Sequence, residues 1–180
     1  MNQINEIRAQ LRPHMGWHGA RLSFVALFLV ALFRAKTVNL AELATVWGGN
    51  AEEASNYKRM QRFFKSFEVN MDKIAKMVMS IAGIPQPWIL SIDRTNWSFG
   101  TTDKVRLSKL LALLAIAFIW AMKAGLWRHA HRPIRIINAH GRRARSLFRY
   151  GFDLLRRFFI DPPQSLLESE FSLIHLLSCT

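Results

Sequence analysis

Cysteine is all but absent: the one thiol in 180 residues is Cys179, next to the last position. A lone thiol cannot close an internal disulfide, so a disulfide-stapled secreted scaffold is excluded and a reducing cytosol fits. Acids are also scarce, twelve against twenty-five Lys and Arg, which leaves a formal charge of +13. The excess runs through the chain, with twelve basic residues against seven acids in 1–100 and thirteen against five in 101–180. That balance points to a polyanionic partner, either nucleic acid or an anionic membrane surface. No uninterrupted apolar run reaches the roughly 20 residues that cross a bilayer. Leu22–Phe33 lies between Arg21 and Arg34, and Leu110–Met122 between Lys109 and Lys123, so both read as buried core helices. Polar residues recur through the twenty positions before the first run, which is unlike a signal peptide.

Several chemistries are missing as well. No Gly-rich phosphate loop of standard spacing occurs, and no internal repeat or low-complexity tract. His129, His131 and His140 match no zinc spacing and have no cysteine near them, so they read as parts of a basic loop. Ser91 and Ser98 lack the flanking glycines of a nucleophile elbow.

What is present is helical pattern. Half of the residues are apolar, enough for one domain with a core or for two small ones. Residues 1–19 read as a short helix and a loop, and Arg21–Arg34 as a helix apolar on nearly every side, which belongs inside a bundle. Asn39, with Glu42 three residues on, has the form of a capping box that opens a short helix, and Gly48-Gly49 ends it. A further helix is expected from Asn50, placing Tyr57, Met60, Phe64 and Phe67 on one face and Lys58, Arg62 and Lys65 on another. Two helices joined by a tight glycine turn, the second one basic, is the pattern of a helix-turn-helix, with Lys58, Arg59, Arg62 and Lys65 as candidate DNA contacts. An ordinary helical hairpin kept soluble by the same side chains fits the pattern equally well. Asp72–Ala82 is amphipathic, and Gly83, Pro85 and Pro87 mark a break after it.

Beyond residue 100, Asp103–Lys123 reads as a helix whose middle is apolar all round and wants neighbours on every side, followed by a loop through Gly125 and Pro133. A helix from Arg142 to about Phe159 is expected to carry Arg142, Arg145, Arg149 and Arg156 on one stripe beside Arg143 and Arg157. In that reading Asp153 pairs with Arg149, and Leu147, Phe148, Leu155 and Phe159 are buried. Guanidinium forks suit phosphate, although a solvated helix face is the alternative. A last helix is expected after Asp161-Pro162.

Between the halves stands Trp88–Gly100. Ile89, Leu90 and Ile92 form an apolar run that ends on Asp93, as a buried strand delivering one acid to its end would. None of the other acids occupies a second strand end, so Asp93 has no evident partner.

The stretch Leu90-Ser-Ile-Asp-Arg-Thr-Asn-Trp-Ser-Phe-Gly100 resembles the first-aspartate motif of bacterial insertion-sequence transposases of the DDE superfamily. Gly16-Trp-His-Gly-Ala-Arg-Leu, Lys36-Thr-Val-Asn-Leu-Ala-Glu and Tyr57-Lys-Arg-Met-Gln-Arg-Phe-Phe are similar to its helical N-terminal domain. Arg106-Leu-Ser-Lys-Leu-Leu-Ala-Leu-Leu and the stretch His140–Asp153 are similar to its C-terminal region. The family's long RNase H-like middle, with its second Asp and its Glu, has no counterpart between Gly100 and Asp103. The resemblance therefore implies a mainly α chain: a DNA-binding-like helical domain at 1–84, a β remnant of the catalytic core at 85–100, and C-terminal helices at 101–180. It implies Asp93 as the first acid of the triad and duplex DNA, the terminal inverted repeats, as partner. A homodimer, or a heterodimer with an intact transposase, is the protein partnership it suggests. Mg²⁺ serves the intact family. Two ions held about 3.5–4 Å apart need several carboxylates, so a lone Asp93 is expected to bind metal weakly and to leave the chain inactive. A bacterial cytoplasm, near the nucleoid, is the expected location. A basic membrane-associated helical protein is the alternative.

Overall fold

The computed structural model describes residues 2–83, 101–137 and 141–161. Asp93 and the strands expected at 88–99, His140, and the helix expected after Asp161 lie outside them. Within them the chain is mainly α. Seven helices run in the order α1 (Asn2–Met15), α2 (Gly19–Ala35), α3 (Leu40–Thr45), α4 (Glu53–Ser66), α5 (Met71–Ala82), α6 (Thr101–His131) and α7 (Leu147–Ile160). Between α6 and α7, β1 (Ile136–Ile137) and β2 (Arg142–Arg143) pair antiparallel, Ile136 opposite Arg143 and Ile137 opposite Arg142.

The apolar run of α2 becomes the inner helix. His18 precedes it and accepts a hydrogen bond from the Ala20 N–H at 3.4 Å. Lys36 closes it at φ +58°, its N–H donating to the Leu32 carbonyl. Around α2 lies an aromatic seam: Phe24 stacks on Phe63 at 4.3 Å and leans on Trp47 at 5.2 Å, and Phe28 meets Phe64 edge-on at 5.4 Å. Offset and edge-on rings at such distances are favoured by their quadrupoles. The helix over 72–82 forms as its pattern predicts, capped by Asn70 and ended by Gly83 at φ +65°, with Ile74, Met77 and Ile81 buried.

Three expectations need correction. The helix expected to end near Lys123 continues to His131, and Gly125 lies inside it rather than in a loop. Gly125 is where α7 crosses: a Cβ there would run into the Leu147 carbonyl, and a Cβ on Gly151 would run into the Ala121 carbonyl. The missing side chains thus let two backbones touch, and the tertiary contact outweighs glycine's poor helix propensity.

The helix expected from Arg142 starts at Leu147. Ser146 caps it, its Oγ accepting from the Arg149 N–H at 3.2 Å, and Gly141 turns the chain at φ +63° between the two short strands. The phase of α7 is set by that later start, so Gly151, Leu154, Leu155, Phe158 and Phe159 are buried, whereas Phe148 is exposed and Leu147 only half-buried.

The apolar helix α6 also has neighbours. Leu113, Ile116, Trp120, Ala121 and Ala124 enter the same core as side chains from α1, α2, α4, α5 and α7. Gly151→Ala is expected to cost about 3 kcal/mol through backbone overlap, a fall in melting temperature of roughly 6–12 °C for a chain of this size. An unchanged melting curve would rule out the close crossing.

Candidate nucleic-acid interface

The α3–α4 pair is built by local rules. Asn39 Oδ1 accepts from the Ala41 N–H at 3.0 Å, while its Nδ2 donates to Glu42 Oε1 at 3.0 Å, so the Asn–Glu pair closes the start of α3. Gly48 and Gly49 follow at φ +81° and +92°, a backbone that L side chains rarely adopt. The second helix does not begin at Asn50, as expected, but at Glu53. The buried Asn56 decides this, because its Nδ2 donates back to the Ala51 carbonyl at 3.2 Å and holds the residues before Glu53 in a turn.

From there the helix phase is fixed. Met60, Phe63, Phe64 and Phe67 go into the core, and Lys58, Arg59, Arg62 and Lys65 all remain exposed on the outside. Tyr57, expected on the buried face, is at its exposed margin. Lys58, Arg62 and Lys65 line an open groove of about 830 Å³ together with Arg106 of α6. No acid lines it. Sequence reasoning missed Arg106, and also the residue that brings it there. Lys109 is 5% exposed and donates through Nζ to the Phe64 carbonyl at 3.0 Å. A buried ammonium on the C-terminal carbonyls of a helix satisfies an orphan acceptor and faces the negative end of the helix dipole. The available signal was a lysine at the edge of an apolar run, three positions after an arginine.

The arginines expected on one stripe do not form one. Arg142 and Arg143 sit on β2, where successive side chains point to opposite faces. Arg145 lies before the cap and pairs with Asp153 at 3.6 Å, as does Lys36 at 3.9 Å, so these replace the Arg149–Asp153 pair expected from sequence. Arg149 borders an apolar groove of about 720 Å³ lined by Leu32, Val38, Leu114, Phe118 and Phe148.

A different set converges. Arg128 from the end of α6, Arg145, and Arg156 and Arg157 from α7 surround a cleft of about 290 Å³, together with Asp153 and Asp161. Arg128 lies 4.1 Å over the Tyr150 ring and donates to the Tyr150 carbonyl at 3.3 Å. Arg156 donates through Nε to the Arg34 carbonyl at 3.2 Å.

Metal chemistry finds no set of ligands here. Among the described residues no three His, Cys, Asp or Glu side chains come together. His129 Nδ1 accepts from the Ile134 N–H at 2.9 Å, and His131 Nδ1 meets the Trp127 carbonyl at 2.8 Å, so both rings finish the end of α6. The described residues by themselves do not fit a two-metal site, and Asp93 lies outside them.

Compared with known protein families, curated proteins and solved structures, the chain matches none.

Lys109→Met keeps the length of the side chain but leaves the Phe64 carbonyl without its donor. It is expected to cost about 1–3 kcal/mol in chemical denaturation. A variant as stable as the parent would show that the bond contributes nothing.

Proposed function

We propose that this protein binds duplex DNA through α4 and is an internally truncated relative of the DDE transposases, without strand-transfer activity of its own. The observation that carries the reading is the acid-free basic groove on the outer face of the second helix of a tight-turn pair. Lys58, Arg59, Arg62 and Lys65 are held outward because Met60, Phe63 and Phe64 are held inward, so the cationic row is rigid at its backbone. Phosphate contacts from such a row fix a helix on the duplex, and contacts to base edges add sequence preference. In this reading the terminal inverted repeats of an intact relative are the DNA, and its site of action is the bacterial cytoplasm. It acts by occupying those ends or by joining the relative's dimer. Asp93 marks ancestry, and without partner carboxylates it does not assemble the two-ion site that strand transfer needs.

A mobility-shift titration tests binding. Duplex DNA should be shifted, with affinity falling by about 0.9 log unit per log unit of salt for each phosphate neutralised. Replacing Lys58, Arg62 and Lys65 together by Ala should weaken binding at least tenfold. Absence of any shift at low salt would remove the DNA reading. A nicking assay in Mg²⁺ or Mn²⁺ is expected to give no product, and nicking that disappears in Asp93→Asn would overturn the loss of activity.

One observation favours a second reading, association with a membrane. Lys104–His131 of α6 is long and apolar enough to cross a bilayer, and 44% of its most apolar window is buried. Leu111, Phe118 and Leu126 are about half exposed, at 49%, 52% and 53%. Co-sedimentation with phosphatidylcholine vesicles in high salt would support it, and solubility without detergent together with no vesicle binding would dismiss it.

A further inference from the structure

We infer that the segment 162–180 folds back along α7 as a helix, laying its acidic part over the arginine cleft and its apolar part into the groove between α2, α6 and α7. This goes beyond the DNA reading and does not rest on it.

The groove is an uncovered apolar face. Val38 after α2, Phe118 of α6 and Phe148 of α7 line it and are exposed, beside Leu32, Leu114 and Phe152. Phe118 and Phe148 stack at 5.2 Å, so the two exposed rings form one surface. The arginine cleft adjoins the groove, since Asp153 lines both. Along α7 the cleft lies toward the end, at Arg156, Arg157 and Ile160, and the groove toward the start, at Phe148, Arg149 and Phe152.

The segment has the same two parts, in the order that a reversal needs. Glu168 and Glu170 come first, Phe171, Ile174 and Leu177 follow, and no Lys or Arg occurs between 162 and 180. Leu167, Phe171 and Ile174 recur at i, i+4 and i+7, one stripe of a helix. Asp161 is extended, at φ −145° and ψ 91°, as suits a residue before proline, and Pro162-Pro163 cannot continue α7. A connection of about four residues places the next helix antiparallel beside the first. Counting back from that turn brings Glu168 roughly level with Arg157, Phe171 with Leu154 and Leu177 with Phe148. One register thus sets acid against arginine and apolar stripe against apolar groove.

The charges agree. Four arginines in the cleft against Asp153 and Asp161 leave an excess of two, and the segment brings two glutamates. The Arg157 side chain is exposed and pairs with no acid among the described residues. A second copy of the chain is a poorer occupant. Two such grooves face to face would bring Lys36 and Arg149 of both molecules together, each molecule carrying a charge of +13. Docked as inferred, the segment closes the cleft to nucleic acid and leaves the acid-free α4 groove as the open basic site.

Cys179, the one thiol in the chain, offers the test. The full chain is labelled there with benzophenone maleimide, irradiated and digested with trypsin, and the links are mapped by mass spectrometry. They should run within one chain to the peptides that hold Leu114–Phe118 and Ser146–Arg149. Phe118→Asp at its exposed position, and separately Ile174→Asp in the segment, should each cut that yield about fivefold by placing a charge in the apolar contact. Melting curves check that both variants stay folded. Without the label, Phe171→Asp/Ile174→Asp should raise the fluorescence of anilinonaphthalene sulfonate about twofold by uncovering apolar surface. Links confined to Lys58–Lys65, no links at all, or links only between isotopically light and heavy chains would overturn the docking, the last in favour of a second copy. Groove links that both variants leave unchanged, or an unchanged dye signal, would overturn it too.

Discussion

A helix with apolar side chains on every face can leave none of its sides in water, and α2 imposes that condition on the rest of the molecule. Ten of its seventeen residues are buried, from Leu22 to Phe33. Each buried phenyl or aliphatic side chain is worth about 1.5–3 kcal/mol relative to exposure. Withdrawing one neighbour therefore exposes several such groups at once. The neighbours come from both ends of the described chain. Trp47, Phe63 and Phe64 cover one side, and on another Phe33 stacks with Phe159 at 5.5 Å and meets Phe152 at 5.2 Å. Segments on either side of the 84–100 stretch thus share one core.

That core has ends, and the ends use up part of the positive charge. Arg34 donates to the Phe159 carbonyl at 3.1 Å while Arg156 donates to the Arg34 carbonyl at 3.2 Å, so α2 and α7 cap each other's last turns. Lys109 does the same for α4. Burial lowers the Arg34 pKa from its ordinary value, yet a guanidinium stays charged throughout the neutral range, so the caps hold there. None of these three bonds uses a carboxylate. Helix C-terminal carbonyls, with their share of the macrodipole, take the place of acids. A chain with twelve acids for twenty-five basic residues can in this way stabilise inner cations and still leave an outer set uncompensated.

The parts that were legible in the sequence are those where local and tertiary preferences agree. The Asn39–Glu42 cap, the paired glycines after α3, the Gly83 end of α5 and the burial of α2 are all of this kind. The failures have physical causes. Gly125 reads as a stop because glycine is a poor helix former, and only the crossing with Gly151 reveals why it is needed. Arg142 to Arg145 continue a helical pattern perfectly well. What ends it is Ser146, whose hydroxyl competes for the Arg149 N–H, and such competition is a reason serine prefers caps. The misplaced start rotated the expected arginine stripe and hid the convergence of Arg128 with Arg145, Arg156 and Arg157, which depends on the place where α6 and α7 cross. Of the candidate site, the α4 row was legible because one amphipathic helix contains it. Arg106 was not, since its role arises from the distant bond of Lys109. Asp93 stands outside the described residues, and its role is implied by resemblance alone.

The geometry of α6 bears on how the DNA and membrane readings relate. Successive residues advance by about 100°, which puts Arg106 and Arg128 on the side that also bears Leu113 and Trp120, the side facing the bundle. Leu111, Phe118 and Leu126 fall on roughly the opposite side. The exposed apolar stripe and the two basic sites therefore do not share a face. A lipid surface that took the stripe would leave the arginines pointing away from its headgroups, so the charge would contribute little to membrane binding. An amphipathic helix at an anionic interface usually has its cations flanking its apolar face, where they reach the headgroups. Here Arg106 and Arg128 are set apart from it, and Lys104 alone shares its side. Arg106 and Arg128 are thus poorly placed for a bilayer taking the outer side of α6.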